Sequence, residues 1–304
     1  MHIAVCVVGF RNADEVAGCI AAIGRSTYPD YEVVICENGG AAAEAALRAA
    51  LQHLPGGQNV TVIGAPDNPG YAGGVNRCLA ATPHADAWWV VNPDAEPEPQ
   101  AMAALVSRLS QGDVAAAGGT LYHPGGQVQA HGGHWRYWLA RPESIGHGSP
   151  LATPADPAII EAGTDYILGA SMMIDRHFLD RVGPMREDYF LYGEEVEWFL
   201  RARALGLRLG FAPEARVQHG QGGTTGSAAA HHQRGRLPIY LDERNKLHIV
   251  RDTGAYRLVT AAPAAFALLA LRYARRGAWK QWRYGVAGWW AGLRGERGKP
   301  DWVR

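Results

Sequence analysis

IAVCVVGF, residues 3–10, is a nearly unbroken run of apolar and β-branched residues close to the start of the chain. Such a run is typical of a strand that is buried on both faces, as strands of parallel sheets are. Two similar runs follow at 31–36 and 59–65, and helical patterns separate the three at about 14–24 and 41–53. Alternating strands and helices with short connections predict an α/β domain with a mostly parallel central sheet flanked by helices.

A fourth predicted strand begins at Ala87 and stops at Asn92, and polar residues stand where these four strands end. Ligands of such sheets bind beyond the carboxyl ends of the strands, so these residues are candidates for one crevice: Glu37, Asn38, Asn68, Asn92 and Asp94. Asp94 and Glu96, two positions apart in a turn, can present oxygens to one hard cation such as Mg²⁺ or Mn²⁺. The alternative for this pair is an ordinary solvated turn.

A glycine-rich segment, DNPGYAGGVN, spans residues 67–76 and precedes a helical pattern. Glycines at the start of a helix let backbone N–H groups approach an anion such as a phosphate. The segment matches neither a Walker A loop nor GxGxxG, and a plain loop is the alternative. Further on, TDYILGASMMIDR (164–176) predicts a strand that is broken at Gly169-Ala170, where a ligand could approach the backbone closely.

The segment YFLYGEEVEWFLRARALGLRLGFAPEARVQH, residues 189–219, sets Glu194, Glu195 and Glu197 at the mouth of a predicted helix. Acids in a first turn are also favoured by the helix dipole, which is the structural interpretation. Carboxylates this close repel one another and tend to raise one pKa toward the range of a general base. His219, at the end of a strand-like run, is either a structural residue or a ligand.

Composition narrows the class of protein. The 304 residues carry a formal net charge of zero, so no global field marks a nucleic-acid binder. The four cysteines show no CxxC pair, which predicts reduced thiols in a cytosolic protein. No signal peptide is recognisable, and the longest apolar stretch, Leu258–Leu271, is too short for a membrane span of roughly 18 residues.

The chain divides into three predicted parts. Residues 1–220 form the main domain, with a loop-rich or hairpin insertion at 123–160 that faces substrate, 221–236 form a flexible loop, and 237–304 are helical. Between residues 272 and 304 stand nine Arg or Lys and two acids, interleaved with Trp. This pattern suits a helix in a membrane interface, and the alternative is a helix packed on the core. Whether these helices form a homodimer or dock on lipid stays open.

The order of these motifs over residues 3–250 resembles the family 2 glycosyltransferases with the GT-A fold, in particular the rhamnosyltransferase-like branch. NPGYAGGVN, NPDAE, LGASMMIDR, YFLYGEEVEWFLRARALG and PEARVQH carry the resemblance. It implies inverting, metal-dependent transfer of a sugar, L-rhamnose among the candidates, from a dTDP- or UDP-linked donor. The implied acceptor is a glycan hydroxyl, in a lipid-diphosphate-linked intermediate of polysaccharide biosynthesis at the cytoplasmic face of the membrane.

The resemblance also assigns residues. It implies Glu195 as the base, with Glu194 the alternative, and Mg²⁺ or Mn²⁺ on Asp94, Glu96 and His219. Implied donor contacts are Gly9, Arg11, Glu37, Asn38, Asn68, Gly70, Gly73, Asn76, Asn92 and Asp94. Expected acceptor contacts are Gly169, Ala170, Glu197, Trp198, Arg201, Arg244 and Lys246. The chain departs from the family where Glu stands for Asp at positions 195 and 197.

Two alternatives compete with this function. A nucleotidyltransferase also joins an α/β sheet to a metal-binding acid, but it requires a basic glycine-rich signature that the N-terminal segment lacks. A non-catalytic nucleotide-sugar-binding scaffold could keep the fold and lose the base. The presence of Asp94 and Glu195 argues against such a scaffold.

Overall fold

A computed structural model describes residues 1–220 and 232–303 of the chain. Most of the predicted flexible loop at 221–236 lies outside the described residues. A nine-stranded sheet forms the centre, and its order is β3-β2-β1-β4-β10-β6-β11-β5, with β7 beside β6. The strands are β1 (Ile3–Gly9), β2 (Tyr31–Glu37), β3 (Val60–Gly64), β4 (Ala87–Val91), β5 (Ala95–Pro97), β6 (Ala116–Tyr122), β7 (Val128–Ala130), β8 (Gly133–Arg136), β9 (Arg141–Ser144), β10 (Ser171–Asp175) and β11 (Leu209–His219).

The sheet is mixed but mostly parallel. β3, β2, β1 and β4 run parallel, as do β6 and β11, whereas β10 lies antiparallel between β4 and β6. Strand β1 is buried along its whole length because alternate residues enter two separate cores: Ala4, Cys6 and Val8 face one, and Ile3, Val5 and Val7 face the other. The prediction of an α/β fold with a mostly parallel sheet is therefore confirmed.

Ten helices flank the described sheet. They are α1 (Ala13–Ile23), α2 (Ala41–Ala50), α3 (Gly70–Ala81), α4 (Ala101–Leu109), α5 (Pro157–Gly163), α6 (Arg176–Val182), α7 (Glu194–Ala204), α8 (Arg236–Gly254), α9 (Leu258–Arg272) and α10 (Trp279–Arg294). The predicted insertion at 123–160 contains the hairpin β8–β9. The four cysteines are buried and free, as expected for reduced thiols.

Two local predictions need correction. The strand expected over residues 164–176 is confined to β10, because the preceding residues leave the sheet to form the edge of a cavity described below. The glycine-rich segment is not a loop before a helix, because α3 already begins at Gly70. Gly73 therefore lies in the first helical turn, where a Cβ would stand 2.5 Å from the Pro69 Cβ.

Gly70 is required by a close approach of two chain segments. Its φ is +78°, and a Cβ there would lie 2.1 Å from the carbonyl oxygen of Phe190, which accepts a 2.8 Å hydrogen bond from the Tyr71 N–H. We expect Gly70→Ala to lower the free energy of unfolding by more than the ~1–2 kcal/mol cost of a left-handed backbone alone. Gly57→Ala is the matched control, because Gly57 has φ +73° and no atom within 4 Å of the added Cβ. Equal losses in urea denaturation of the two variants would show that the contact with Phe190 is unimportant.

The C-terminal helices both pack on the core and expose aromatic surface. α10 lies against α8 through glycines, and a Cβ on Gly288 would lie 2.1 Å from the Tyr240 carbonyl oxygen. On the remaining surface of α10, Trp279 is 62% exposed and Trp290 is 50% exposed. The interpretation of a helix packed on the core thus holds for one face of α10, and the membrane-interface interpretation stays a prediction for the exposed face.

The prediction that the chain has no segment long enough to cross a membrane is wrong on length and composition. The helical run Arg236–Arg276 contains an 18-residue window of mean hydropathy 1.5, of which 22% is buried. The sequence count stopped at the charged residues on either side of α9, although a span tolerates one or two charges. The finding concerns length and composition only, because the core helix of a globular protein can have the same length and composition.

Candidate active site

A cavity of about 640 Å³ opens at the carboxyl edge of the sheet. The ends of β1, β2 and β4 meet there because these strands are parallel. β10 runs the other way, so it brings its amino-terminal flank, Gly169-Ala170, to the same edge, and the Asn92 N–H donates to the Ala170 carbonyl oxygen at 3.1 Å. The start of α7 and one face of α8 complete the wall. The sheet topology therefore gathers segments that are distant in sequence.

Asp94 and His219 form a candidate metal pair in this wall. The antiparallel pairing of β11 with β5 sets His219 opposite Ala95, so that Asp94 Oδ1 lies 3.2 Å from His219 Nε2. Gln129 Oε1 lies 2.9 Å from Nδ1 of the same ring and orients it. A carboxylate oxygen and an imidazole nitrogen at one cavity surface suit Mn²⁺ or Mg²⁺, with ligand oxygens completing the sphere.

The third predicted metal ligand does not join this pair. Glu96 lies on β5 between the buried residues Ala95 and Pro97, and its side chain is exposed and outside the cavity lining. Among the described residues one cluster of three side chains has metal-ligand geometry, namely His2, Glu32 and His84. This cluster lies at the amino ends of β1 and β2, away from the cavity.

Glu194 and Glu195 stand side by side at the start of α7, both lining the cavity. Glu194 is 2% exposed, and its Oε2 has no hydrogen-bond partner in the part of the chain that the structure describes. Burial raises the pKa of Glu194 well above its usual range, and the charge of Glu195 raises it further. Burial also raises the pKa of Glu195, although backbone N–H groups at the helix start oppose the shift. Two adjacent carboxyl groups in a poorly solvated place resist ionising together, so the neighbourhood favours the protonated form of the more buried one, Glu194.

The other three predicted contacts on α7 lie one turn beyond the cavity. Glu197 is buried against Arg201, with 2.9 Å between Oε1 and Nε. Trp198 is fully buried and donates its indole N–H to the Gly183 carbonyl oxygen at 2.8 Å. Arg201 also donates to the Pro184 carbonyl oxygen. The structure thus gives these residues a role in holding α7, in place of the acceptor contacts expected from the sequence.

On the donor side, Glu37 organises the loops after β1 and β2. Its Oε1 accepts the backbone N–H groups of Arg11 at 3.0 Å and Gly39 at 2.7 Å. Its Oε2 is buried without a partner among the described residues, and a Cβ on Gly9 would lie 2.5 Å from it. Glu37 therefore holds together the two loops that border the donor edge of the cavity, without lining the cavity itself.

The remaining predicted donor contacts divide into two groups. Those that line the cavity are Asn38, Asn68, Gly70, Asn92 and Asp94. Gly9, Arg11, Glu37, Gly73 and Asn76 are outside the lining. Asn76 is a structural residue, since its amide donates to the Met185 carbonyl oxygen at 2.9 Å and accepts the Met185 N–H at 3.0 Å. It ties α3 to the segment before α7 and has no route to a donor.

Arg244 and Lys246 were expected to contact an acceptor, and the structure separates them. Arg244 is 1% exposed and outside the lining, and its guanidinium donates to the carbonyl oxygens of Gly298 at 2.7 Å and Tyr189 at 3.0 Å. Its role is structural. Lys246 does line the cavity, and its Nζ lies 2.7 Å from Asp242 Oδ2 and 2.9 Å from Glu243 Oε1. Burial alone would lower the pKa of Lys246, but these two carboxylates raise it, so the ammonium stays charged.

Several lining residues were not recognised from the sequence. The Tyr71 hydroxyl lies 3.1 Å from Asn92 Oδ1 and 3.0 Å from the Gly169 carbonyl oxygen, so it joins three segments of the site. Tyr71 sits inside the glycine-rich segment, and its position between the glycines was an available signal. Trp135 lies in the insertion at 123–160 that the sequence predicted to face substrate, whereas Tyr166 and Asp242 carried no such signal, because only tertiary contacts bring them to the cavity.

Asn245 on α8 fixes the turn that carries the two carboxylates. Its side-chain amide donates to the carbonyl oxygens of Tyr189, Leu191 and Tyr192 at 3.0, 2.9 and 2.7 Å. Tyr192 has φ +71° and the next residue, Gly193, has φ +86°, so the turn is held in a sparsely populated conformation.

We expect Asn245→Asp to lower the free energy of unfolding by about 2–3 kcal/mol, because a carboxylate cannot donate to these carbonyl groups and would be buried beside them. Activity should fall further than the loss of folded protein explains, since α7 then loses its fixed start. Chemical denaturation and kcat measured on the folded fraction check both effects. Asn59→Asp, at a loop position before β3, is the control. An unchanged kcat in Asn245→Asp would show that Asn245 is not needed to position the carboxylates of α7.

Together, the mixed α/β sheet, the metal-type pair and the carboxylates of α7 at one cavity fit a glycosyltransferase of the GT-A class. Such an enzyme takes its sugar from a nucleotide-linked donor. The family described as "Glycosyltransferase like family 2" matches residues 2–237, and the chain belongs to this family.

Two curated relatives, from Mycobacterium tuberculosis strains CDC 1551 / Oshkosh and ATCC 25618 / H37Rv, are each 26% identical over 255 residues. The match covers 74% of this chain and 79% of each relative, and both are named N-acetylglucosaminyl-diphospho-decaprenol L-rhamnosyltransferase. The fold is also similar to two solved structures. One is the mannosyltransferase PcManGT from Pyrobaculum calidifontis with GDP-Man and Mn²⁺ (TM-score 0.59, 16% identity, 97% of this chain and 88% of that one). The other is GalNAc-T7 with UDP, GalNAc and Mn²⁺ (TM-score 0.59, 14% identity, 81% and 51%).

Proposed function

We propose that this glycosyltransferase transfers L-rhamnose from a dTDP- or UDP-linked donor to a sugar hydroxyl of a lipid-diphosphate-linked acceptor. The observation that carries the proposal is that the Asp94–His219 pair and the Glu194–Glu195 pair line one cavity. The sugar and the acceptor class are taken from the names of the two mycobacterial relatives. The cavity is large enough for a donor and part of an acceptor together.

In the proposed mechanism Asp94 and His219 hold a divalent cation, Mn²⁺ or Mg²⁺. When bound, the metal neutralises charge on the leaving nucleoside diphosphate. Glu195 is the base, because it is less buried than Glu194 and lies beside Gly169, whose added Cβ would be 3.5 Å from Glu195 Cγ. It takes the proton of the acceptor hydroxyl as that oxygen attacks the anomeric carbon opposite the leaving group, which inverts the configuration. Glu194 keeps its own proton and so leaves Glu195 free to ionise.

We further propose that the enzyme is cytoplasmic and lies peripherally on the inner face of the membrane. Trp279 and Trp290 on α10 and Val259 on α9 are exposed, and basic residues are concentrated in the same region of the chain. Exposed Trp beside Arg and Lys favours the interface of an anionic bilayer. A homodimer through these helices is the alternative use of the same surface.

The decisive assay uses dTDP-L-rhamnose and UDP-linked sugars as donors with N-acetylglucosaminyl-diphospho-farnesol as acceptor, in the presence of Mn²⁺ or Mg²⁺. We expect one donor to give a disaccharide product in which the anomeric configuration of the transferred sugar is inverted. Chelation of the metal should stop the formation of this product. Transfer of a different sugar would show that the proposed donor, a nucleotide-linked L-rhamnose, is wrong. Donor hydrolysis without transfer to this acceptor would reject the proposed acceptor class. The family match argues against a nucleotidyltransferase, and sugar transfer in this assay would rule out a non-catalytic scaffold.

A further inference from the structure

A second, smaller cavity of about 280 Å³ adjoins the active site. We call it the side pocket. Its walls come from the hairpin β8–β9, from α8, and from α9 with the short segment that follows it. Pro142 and Lys246 line both cavities, so the side pocket and the active site share a wall.

Cations dominate the lining of the side pocket. Four basic side chains contribute, Arg141, Lys246, Arg272 and Arg276, against one acid, Glu243. Glu243 lies 2.9 Å from Lys246 Nζ and 3.6 Å from Arg272 Nη1, so its charge is already offset within the wall. Asp242 lies 2.7 Å from Lys246 Nζ and 3.4 Å from Arg272 Nη1, so these two cations are also offset by carboxylates. The positive charge that the side pocket offers a ligand therefore comes chiefly from the exposed side chains of Arg141 and Arg276, and guanidinium groups suit phosphates in particular.

The other part of the side pocket is apolar and leads outward. Ala265, Leu268, Leu269 and Leu271 of α9 line it, and Leu271 is 53% exposed. Val259, on the same helix, is 76% exposed. A ligand with a phosphate head in the pocket could therefore lay an apolar tail along α9 toward the surface that we propose to face the membrane.

We propose that the side pocket binds the diphosphate of the lipid-linked acceptor, with Arg141 and Arg276 as its principal contacts and α9 as the track of the lipid chain. The inference rests on the proposed function. It places the sugar of the acceptor across the shared wall, on the side of Glu195, while its diphosphate stays outside the donor site. A polyprenyl diphosphate fits both parts of the pocket, whereas a free phosphate fits the basic part alone.

The test measures binding of farnesyl diphosphate to the full-length protein by calorimetry, without donor or catalysis. We expect the double variant R141A/R276A to raise the Kd at least about tenfold, because two cationic contacts are lost. The matched control is R136A/R275A. Arg136 is the cross-strand neighbour of Arg141 and Arg275 precedes Arg276, yet neither lines the pocket. Both doubles remove two exposed positive charges, so the control should keep the wild-type Kd.

Binding of related ligands shows which part of farnesyl diphosphate the side pocket recognises. Inorganic diphosphate should bind more weakly than farnesyl diphosphate, and farnesol should not compete. Equal losses in the two double variants, or no binding of farnesyl diphosphate by the wild type, would overturn the proposal. So would a R141A/R276A protein that binds farnesyl diphosphate normally but loses affinity for phosphatidylglycerol vesicles, because the pocket would then bind bilayer headgroups.

Transfer kinetics separate this inference from the proposed function. With N-acetylglucosaminyl-diphospho-farnesol as acceptor, R141A/R276A should raise the acceptor KM at least about tenfold and leave donor hydrolysis unchanged. If the wild type transfers no sugar to this acceptor but binds farnesyl diphosphate through Arg141 and Arg276, the proposed acceptor is wrong and the pocket stands. If transfer occurs and the variant has a normal acceptor KM, the pocket is wrong and the function stands.

Discussion

Replacing Glu195 by Gln should lower kcat by about 10³-fold while the protein stays folded and binds its donor. General-base catalysis contributes roughly 10²–10⁴-fold, and Gln keeps the size of the side chain but cannot take a proton. Donor affinity should change little, because the proposed donor contacts lie at the ends of β1, β2 and β4. Single-turnover kinetics with saturating donor and acceptor measure the chemical step directly.

Glu194→Gln is the comparison that decides between the two carboxylates. If Glu195 is the base, Glu194→Gln should retain most activity, because the neutral amide resembles the protonated form of Glu194. Glu214→Gln controls for the loss of an acid, because Glu214 is exposed on β11 and lies outside the cavity lining. A 10³-fold loss of kcat in Glu194→Gln, together with an active Glu195→Gln, would show that Glu194 is the base.

The pH dependence follows from the same pair. Burial raises the pKa of Glu195, so the base is lost as pH falls through that raised value, and the acid limb of kcat should lie above pH 4.5, the ordinary value for Glu. The pKa of Glu194 is also raised, so its burial costs no stability at low pH and an increasing amount as pH rises above about 4.5. Glu194→Gln should therefore be more stable than the wild type near pH 8 and equal to it near pH 4. Thermal unfolding across this range measures the difference.

Replacing Asp94 by Asn should lower kcat/KM by about 10³-fold and abolish metal-dependent binding of the nucleoside diphosphate. Metal stabilisation of a leaving group is worth several kcal/mol, and each 1.36 kcal/mol is a factor of ten. The wild type should show a thermal shift with its nucleoside diphosphate only when Mn²⁺ or Mg²⁺ is present. A ligand at one hundred times its Kd adds about 2.7 kcal/mol to the free energy of unfolding, and Asp94→Asn should lose this gain.

Two controls make the metal experiment specific. Glu96→Gln removes an acid two residues away that is outside the cavity, so it should keep the shift. His84→Ala disrupts the cluster of His2, Glu32 and His84 at the opposite edge of the sheet, and it too should keep the shift. A full metal-dependent shift in Asp94→Asn would show that the cation does not bind at Asp94. Loss of the shift in His84→Ala would show that the cation binds at the cluster of His2, Glu32 and His84.

The sequence predicted the fold well because the fold depends on local patterns. Runs such as residues 3–10 and 33–36 are apolar at every position, and such runs are stable only between two layers of helices. Because ligands bind beyond the carboxyl ends of such strands, the position of a site can be predicted from the sequence before any tertiary contact is known. The main exception, the strand over 164–176, was longer in sequence than in structure because Gly169-Ala170 is used at the cavity.

The tertiary structure decided which polar residues belong to the site. Periodicity does not tell whether Glu197, Arg201 or Arg244 faces a cavity or a neighbouring helix, since partners such as Tyr189 and Gly298 are distant in sequence. The same holds for Asn245, whose three hydrogen bonds to carbonyl oxygens hold the turn before α7.

By itself, the sequence determined the alternation of buried strands and helices, the acids at the strand ends and the carboxylates at the start of α7. Only the tertiary structure decided that His219 meets Asp94, that Glu96 points away, and that a basic side pocket adjoins the active site. The physical reason is one of range. Strand and helix patterns follow from the hydrophobicity of neighbouring residues, whereas a site depends on the register in which distant segments pack.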